Sequence, residues 1–479
     1  VNASQANLTH LPLRRALLQL CIPLTGAMTL ETAFNFVNGF WVGKLGTSAL
    51  AAVNLCSFTV WMLFALTGMI STGANSVIAQ RIGAGDEEEG RRVGWLAVIS
   101  GLALGTFLCL LVQRFADPYL AWQASHNPDV QPVLKAGTVY LRQVFWFAPI
   151  FCLNESMSAI LRAYGDTRTP LKLYAIGFAV NFALDPLLIL GWGSWPGLGL
   201  RGAAYASGVS FACVSVLFAA LIHRRLGDIR PSWRWLGEVL RIGLPSAMTA
   251  AFFCLIYMLI APLVGSYGPS ALAALGLGHR IESFSYLVSH GLGVASITLV
   301  GQHMGAGDRR QAFRAGQQAL YLVSLLMLAS SVIMVLFARP MVSLFSHDPE
   351  VLDRATVYLR WMSLCQWSTG VAVVLEGVMS GAGRPLLAGL AASGCAAMRL
   401  PMARYAAGQF QLTGVWAAMV ASRSLEGLLY LIIFARSSVW HESGVSETVS
   451  RTENDAILTT GSGGPTSQPS AGDHPGGGR

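Results

Sequence analysis

Asn181 and Asp185 stand four residues apart in an apolar stretch, with Pro186 next in the chain. That spacing places both on one face of a helix. An amide carbonyl beside a carboxylate suits a small hard cation or a proton; a cap at a helix end near Pro186 is the competing use. Glu31 and Asn38 are seven apart in an earlier stretch and also share a face, with Asn35 close to it. Pro23 precedes them. It lacks a backbone donor and clashes with the preceding turn, so a bend is expected there. A carboxylate on a bendable helix can switch by protonation, because its hydration changes with its charge; fixing helix packing is the alternative role. Later in the chain the charged set differs: Glu282, Glu376, Glu426 and Arg399, with His279 three residues before Glu282 and able to pair with it. Glu155 is a further acid. Tyr257 and Phe284 belong to a plentiful set of aromatics that packs a core, meets lipid or holds flat cations through cation–π contact. Glu282, Glu376, Arg399, Tyr257 and Phe284 are thus the positions for a substrate contact or a secondary charge.

These residues need scaffolding of an unusual kind. Of 479 residues, 53% are hydrophobic and only 12% charged, against about 25% charged in a soluble domain. Residues 45–80 and 315–338 contain no Asp, Glu, Lys or Arg. A bilayer core is crossed by about 20 apolar residues of helix, so the chain reads as an all-α polytopic membrane protein. Apolar runs between breakers give about twelve spans: 16–43, 48–80, 93–113, 135–161, 171–191, 202–222, 238–265, 270–302, 313–337, 353–380, 386–407 and 412–436.

The runs fall into two copies. Gly46-Thr47-Ser48-Ala49-Leu50-Ala51-Ala52 returns as Gly268-Pro269-Ser270-Ala271-Leu272-Ala273-Ala274, and Gly83-Ala84-Gly85-Asp86 returns as Gly305-Ala306-Gly307-Asp308. Pro23 and Pro245, and Gln80 and Gln302, keep the same offset of 222. Six spans per copy make this an internal parallel repeat of two six-helix lobes, a pattern known in transporters. The expected organisation is an N-terminal segment 1–12, a first lobe 13–222, a linker 223–236, a second lobe 237–438 and a polar, disordered tail 439–479 rich in Gly, Ser, Thr and Pro. The copies differ where chemistry is concerned: Phe253 and Ile260 stand where Glu31 and Asn38 stand in the first.

Charge adds orientation. The net charge is +8, and Arg14, Arg15, Arg81, Arg91, Arg92, Arg224, Arg225, Arg309 and Arg310 crowd one set of span ends. That set, with both termini, is expected in the cytoplasm of a bacterial plasma or inner membrane. The arginines form no long basic face, which argues against nucleic acid as a partner. All eight cysteines lie in apolar stretches without metal-ligand spacing, and read as packed hydrophobes. No structural metal or cofactor is expected. The Gly-Ala-Gly-Asp segments lack the Lys-Ser/Thr of a phosphate loop; a tight turn with Asp86 or Asp308 capping the next helix fits them better. No HExxH or GxSxG occurs, so neither an enzyme nor direct nucleotide drive is indicated.

Several segments together resemble the multidrug and toxic compound extrusion (MATE) transporters. They are Val42-Gly43-Lys44-Leu45-Gly46, Ala79-Gln80-Arg81-Ile82-Gly83-Ala84-Gly85-Asp86, Leu161-Arg162-Ala163-Tyr164-Gly165-Asp166-Thr167-Arg168-Thr169-Pro170, Asn181-Phe182-Ala183-Leu184-Asp185-Pro186, Gly199-Leu200-Arg201-Gly202-Ala203-Ala204 and Gly301-Gln302-His303-Met304-Gly305-Ala306-Gly307-Asp308. The resemblance spans residues 12–437. It implies a monomer in the bilayer that exports amphipathic or cationic small organic compounds by alternating access, coupled to influx of protons or Na+. The Asn181/Asp185 pair and Pro23 are similar to the DinF-like branch, which implies coupling at an acidic site in the N-terminal lobe; Asp185 is the expected coupling residue, with Asn181, Glu31 and Asn38 around it. That branch usually carries Asp four residues before the Val-Gly of the first span, where this chain has Asn38, which cannot release a proton. A flippase for lipid-linked or polysaccharide substrates is the alternative; it would favour a basic cavity, for which Arg399 and Arg280 are the mid-span residues.

Overall fold

A chain this apolar must satisfy its backbone internally wherever lipid replaces water, so helices follow. The structure, a computed structural model, describes residues 8–124, 131–193 and 195–440. Thirteen α-helices are described: α1 Leu13–Gly43, α2 Thr47–Gly83, α3 Glu87–Ala124, α4 Gln131–Trp146, α5 Ala148–Ala163, α6 Arg168–Ile189, α7 Leu200–Leu226, α8 Leu236–Gly265, α9 Pro269–Gly305, α10 Arg309–Ser343, α11 Pro349–Ser363, α12 Gln366–Gly381 and α13 Leu386–Arg436. A two-residue antiparallel hairpin, β1 Gly191–Trp192 with β2 Trp195–Pro196, links α6 to α7.

The helices depart from twelve uninterrupted spans in three places, besides a kink in α10 at Phe337. The run 135–161 is broken at Phe147, where α4 and α5 meet at 45°; Pro149 in the first turn of α5 has no N–H to continue the ladder. The run 353–380 is likewise broken between α11 and α12, with Cys365 in a non-helical conformation. The runs 386–407 and 412–436 lie in one continuous assignment, α13, which turns at Phe410 and Gln411. Gln411 has φ of 53°, among the described residues the only non-glycine in the left-handed region. Nine described helices are long and apolar enough to cross a membrane, or ten with the bent α4–α5 pair as one span.

The turns confirm their sequence logic. Gly85 and Gly307 have φ of 78° and 76°. Asp86 accepts from the Glu89 N–H at 3.1 Å and Asp308 from the Gln311 N–H at 2.9 Å. The same carboxylate cap recurs where Asp166 accepts from Thr169 N–H at 3.0 Å. Burial extends beyond α1 and α13 at both ends. Leu8, expected in the polar N-terminal segment, is buried, and Val439 and Trp440, expected in the tail, pack on Phe313 and Phe434. An apolar side chain gains from burial whatever the polarity of its neighbours in sequence. Residues 1–7 and 441–479 of the expected terminal segments lie outside the described residues. The linker is shorter than 223–236, since α7 continues to Leu226 and α8 begins at Leu236.

At the Arg-rich end, helices from the two halves of the chain touch closely. A Cβ on Gly83 would collide with the carbonyl of Gln302, and one on Gly305 with the carbonyl of Gln80. Gln80 Nε2 donates to the Gly381 carbonyl at 3.0 Å, and Gln302 Nε2 to the Ala163 carbonyl at 3.0 Å. Gly381 and Ala163 are the last residues of α12 and α5. Ser76 Oγ adds a bond to the Ser380 carbonyl at 2.6 Å, and Thr298 Oγ1 lies 3.0 Å from Asn75 Oδ1.

Candidate functional site

Asp185 and Asn181 are both 0% exposed on α6. Asn181 Nδ2 donates to Asp185 Oδ1 at 3.2 Å. Asp185 Oδ2 and Asn181 Oδ1 are buried with no hydrogen-bond partner among the described residues. Two buried acceptors side by side carry an unmet demand for a proton or a small cation. The α6 helix continues to Ile189 beyond Pro186, so Asp185 does not serve as an end cap.

Neighbouring helices bring polar groups to the same depth. Cβ atoms on Gly177 and Gly202 would meet Val214 and the Leu188 carbonyl, so α6 and α7 run antiparallel and Ser207 sits level with Asp185. Gly26 lies beside Leu171, and the rings of Phe34 and Phe178 are 6.4 Å apart, so α1 runs parallel to α6 and Asn38 comes level with Phe182. Asn38 Nδ2 donates to Ser207 Oγ at 3.4 Å. Asp185, Asn181, Asn38 and Ser207 thus lie within about one helical turn of one another in depth.

Glu31 is not brought to that level. Seven residues of helix separate it from Asn38, about 10 Å along the axis. It is exposed and forms no ion pair among the described residues. Its depth is that of a second polar group: Glu155 Oε1 accepts from Tyr174 Oη at 3.0 Å, and Glu155 Oε2 lies 3.3 Å from Arg162. Pro23 is buried within α1, whose helical assignment passes through it without a break.

The second half gathers a separate ionic cluster. Glu282 Oε2 lies 3.4 Å from Arg423 NH1 and 3.7 Å from His279 Nδ1. Arg423 NH2 donates to Tyr257 Oη at 2.5 Å. Arg399, 2% exposed, donates through Nε to Ser422 Oγ at 2.8 Å and pairs with Glu426 at 3.5 Å. Phe253, in the place of Glu31, packs its ring on Tyr257 at 4.7 Å, and Ile260, in the place of Asn38, is fully buried. Glu376 is half-buried on α12, close to Ser246 and near enough to Glu426 to feel its charge. Phe284 is 49% exposed and joins neither group. Arg280 stacks on Phe36 of the other half at 5.0 Å.

Arg423 was not among the residues singled out from the sequence, although it lies mid-run in 412–436 and intramembrane charge is the available signal. Ser207 carries no such signal, because a lone serine in an apolar helix is common.

The MatE family model matches residues 23–187 and 245–403. This chain belongs to the MatE family. MatE proteins are transporters, and this chain is a multi-pass membrane transporter, not an enzyme. It is 27% identical to a probable multidrug resistance protein NorM of Thermotoga maritima over 444 residues, which covers 90% of this chain and 94% of that protein. It is 26% identical to an FAD transporter of Shewanella oneidensis, covering 78% and 84%. A multidrug resistance MATE family transporter of the MOP superfamily, solved in an outward-facing conformation, superposes with a TM-score of 0.82 at 24% identity, covering 90% of this chain and 97% of that one. The two matched MatE segments fall on either side of the short connection between α7 and α8.

Proposed function

We propose that this MatE protein is a secondary antiporter that exports amphipathic or cationic organic compounds against proton or Na+ influx by alternating access. The observation that carries the coupling is the buried Asn181–Asp185 pair, with one unpaired acceptor on each side chain. Asp185 is the coupling residue in this reading, Asn181 shares its ion, and Asn38 with Ser207 supplies neutral ligands at the same depth. The single carboxylate compensates a single positive charge. The probable multidrug resistance relative supports the choice of cargo; the FAD transporter marks flavin-sized aromatic anions as the compounds to compare against cations. The two matched segments and the constant offset of 222 support two lobes related by a parallel repeat. The Arg-rich ends support cytoplasmic termini. The flippase reading is weakened at one of its two arginines, because Arg399 is paired with Glu426, while Arg280 stacks on Phe36.

The test is efflux of a fluorescent organic cation from proteoliposomes under an imposed pH gradient or an imposed Na+ gradient. Drive by one of them is expected. Drive by neither contradicts antiport.

A further inference from the structure

The seam at the Arg-rich end carries a part that the repeat does not explain. Its two glutamines, Gln80 and Gln302, are equivalents, and each ties its own half to a helix end of the other. Gln302 holds one more partner: its Oε1 accepts the backbone N–H of Leu8 at 2.8 Å. Leu8 belongs to the 3-10 turn Leu8–His10, just ahead of α1, and its side chain is 2% exposed. That side chain touches both halves. On one side it lies against the turn between α5 and α6, where a Cβ on Gly165 would be 3.3 Å from Leu8 Cδ1. On the other it joins the apolar cluster that includes Leu299 and Val300 of α9. Ala163, which accepts from Gln302, ends the helix leading into that α5–α6 turn.

We propose that Leu8–His10 is a strap that holds the Arg-rich end of the transporter sealed, and that it leaves the seam when that end opens. The proposal rests on the alternating-access reading. Opening that end separates α9 and α12 from the ends of α2 and α5, because Gln302 bridges α9 to α5, Thr298 bridges α9 to α2 and Gln80 bridges α2 to α12. Leu8 sits between the same parts, so separation strips its side chain of one wall and Gln302 of an acceptor bond. A contact made in one state and lost in the other shifts the balance by its full differential free energy. A buried leucine with a buried hydrogen bond is worth at least about tenfold in that balance.

The experiment uses the full chain in nanodiscs with spin labels on exposed turn positions. Ala84 and Ala306 report the Arg-rich end, and Lys44 and Ser266 the opposite end. Distances are measured in the unaltered protein, in Leu8→Asp and in Gln302→Leu. Both variants are expected to gain a longer component between Ala84 and Ala306, with the open fraction raised about tenfold, and a shorter one between Lys44 and Ser266. A merely destabilised fold would not produce the reciprocal closure. Leu8→Ala carries the same prediction if Leu8→Asp does not fold. If substrate and gradients move both pairs in the unaltered protein while the variants keep its distributions, the strap is wrong and alternating access stands. If neither pair ever moves in the unaltered protein, both fall.

Discussion

Asp185 and Asn181 share one turn of α6 and one hydrogen bond, yet each keeps a buried oxygen without a donor. Burial makes such a demand expensive to leave unmet, which is why a proton or a small cation is the natural third member. The pair was legible in the sequence because a carboxylate inside an apolar run is conspicuous. Its setting was not, since Ser207 and Asn38 come to a similar depth only through the α1–α6–α7 packing. Glu31 shows the reverse: the seven-residue spacing places it on the Asn38 face, but that distance along the helix leaves it beside a different group. The Arg423–Glu282 pair supports a prediction of another kind. Arg423→Ala would leave Glu282 buried without its guanidinium and lower unfolding stability by about 3–5 kcal/mol, whereas exchanging both residues for apolar ones, Arg423→Met with Glu282→Leu, should recover most of it. Denaturant unfolding in detergent micelles of the single and double variants measures both.

At the scale of elements, periodicity and breakers set the helices well, but not every break was marked. The break at Phe147 has its marker in Pro149, whereas Cys365 interrupts 353–380 with no glycine or proline beside it, and the α13 turn at Gln411 has none at the turn itself. The glycines of α2 and α9 were visible as repeats, but their reason is steric: Gly83 and Gly305 each face a carbonyl of the other helix. Gly83→Ala and Gly305→Ala should each destabilise the protein by about 1–3 kcal/mol through overpacking, and both should also open the Arg-rich end. Thermal unfolding and the Ala84–Ala306 distance read the two effects separately. Alanine at both positions without effect would contradict the close packing. Pro23 lies buried in an unbroken α1, so Pro23→Ala should fold normally and slow turnover if a flexible α1 is part of the cycle; an unchanged efflux rate in proteoliposomes would remove that role.

At the scale of the molecule, the repeated motifs lie at turns and at the α2–α9 contact, and the unrepeated charges lie inside each half. The preserved positions, Gln80 with Gln302 and Gly83 with Gly305, meet one another across the seam. The lost ones, Glu31 and Asn38, face Phe253 and Ile260 in the comparison, where the second half has built an aromatic and ionic cluster around Tyr257. Two halves that share a joint but differ in chemistry are suited to rock against one another while only one of them binds the driving ion. The central claim is that Asp185 couples that ion to export. It is tested most directly by comparing the unaltered protein with Asp185→Asn in proteoliposomes under the gradient that drives efflux. The account predicts that the variant still binds the organic substrate but loses gradient-driven efflux. Full gradient-driven efflux by Asp185→Asn would contradict it.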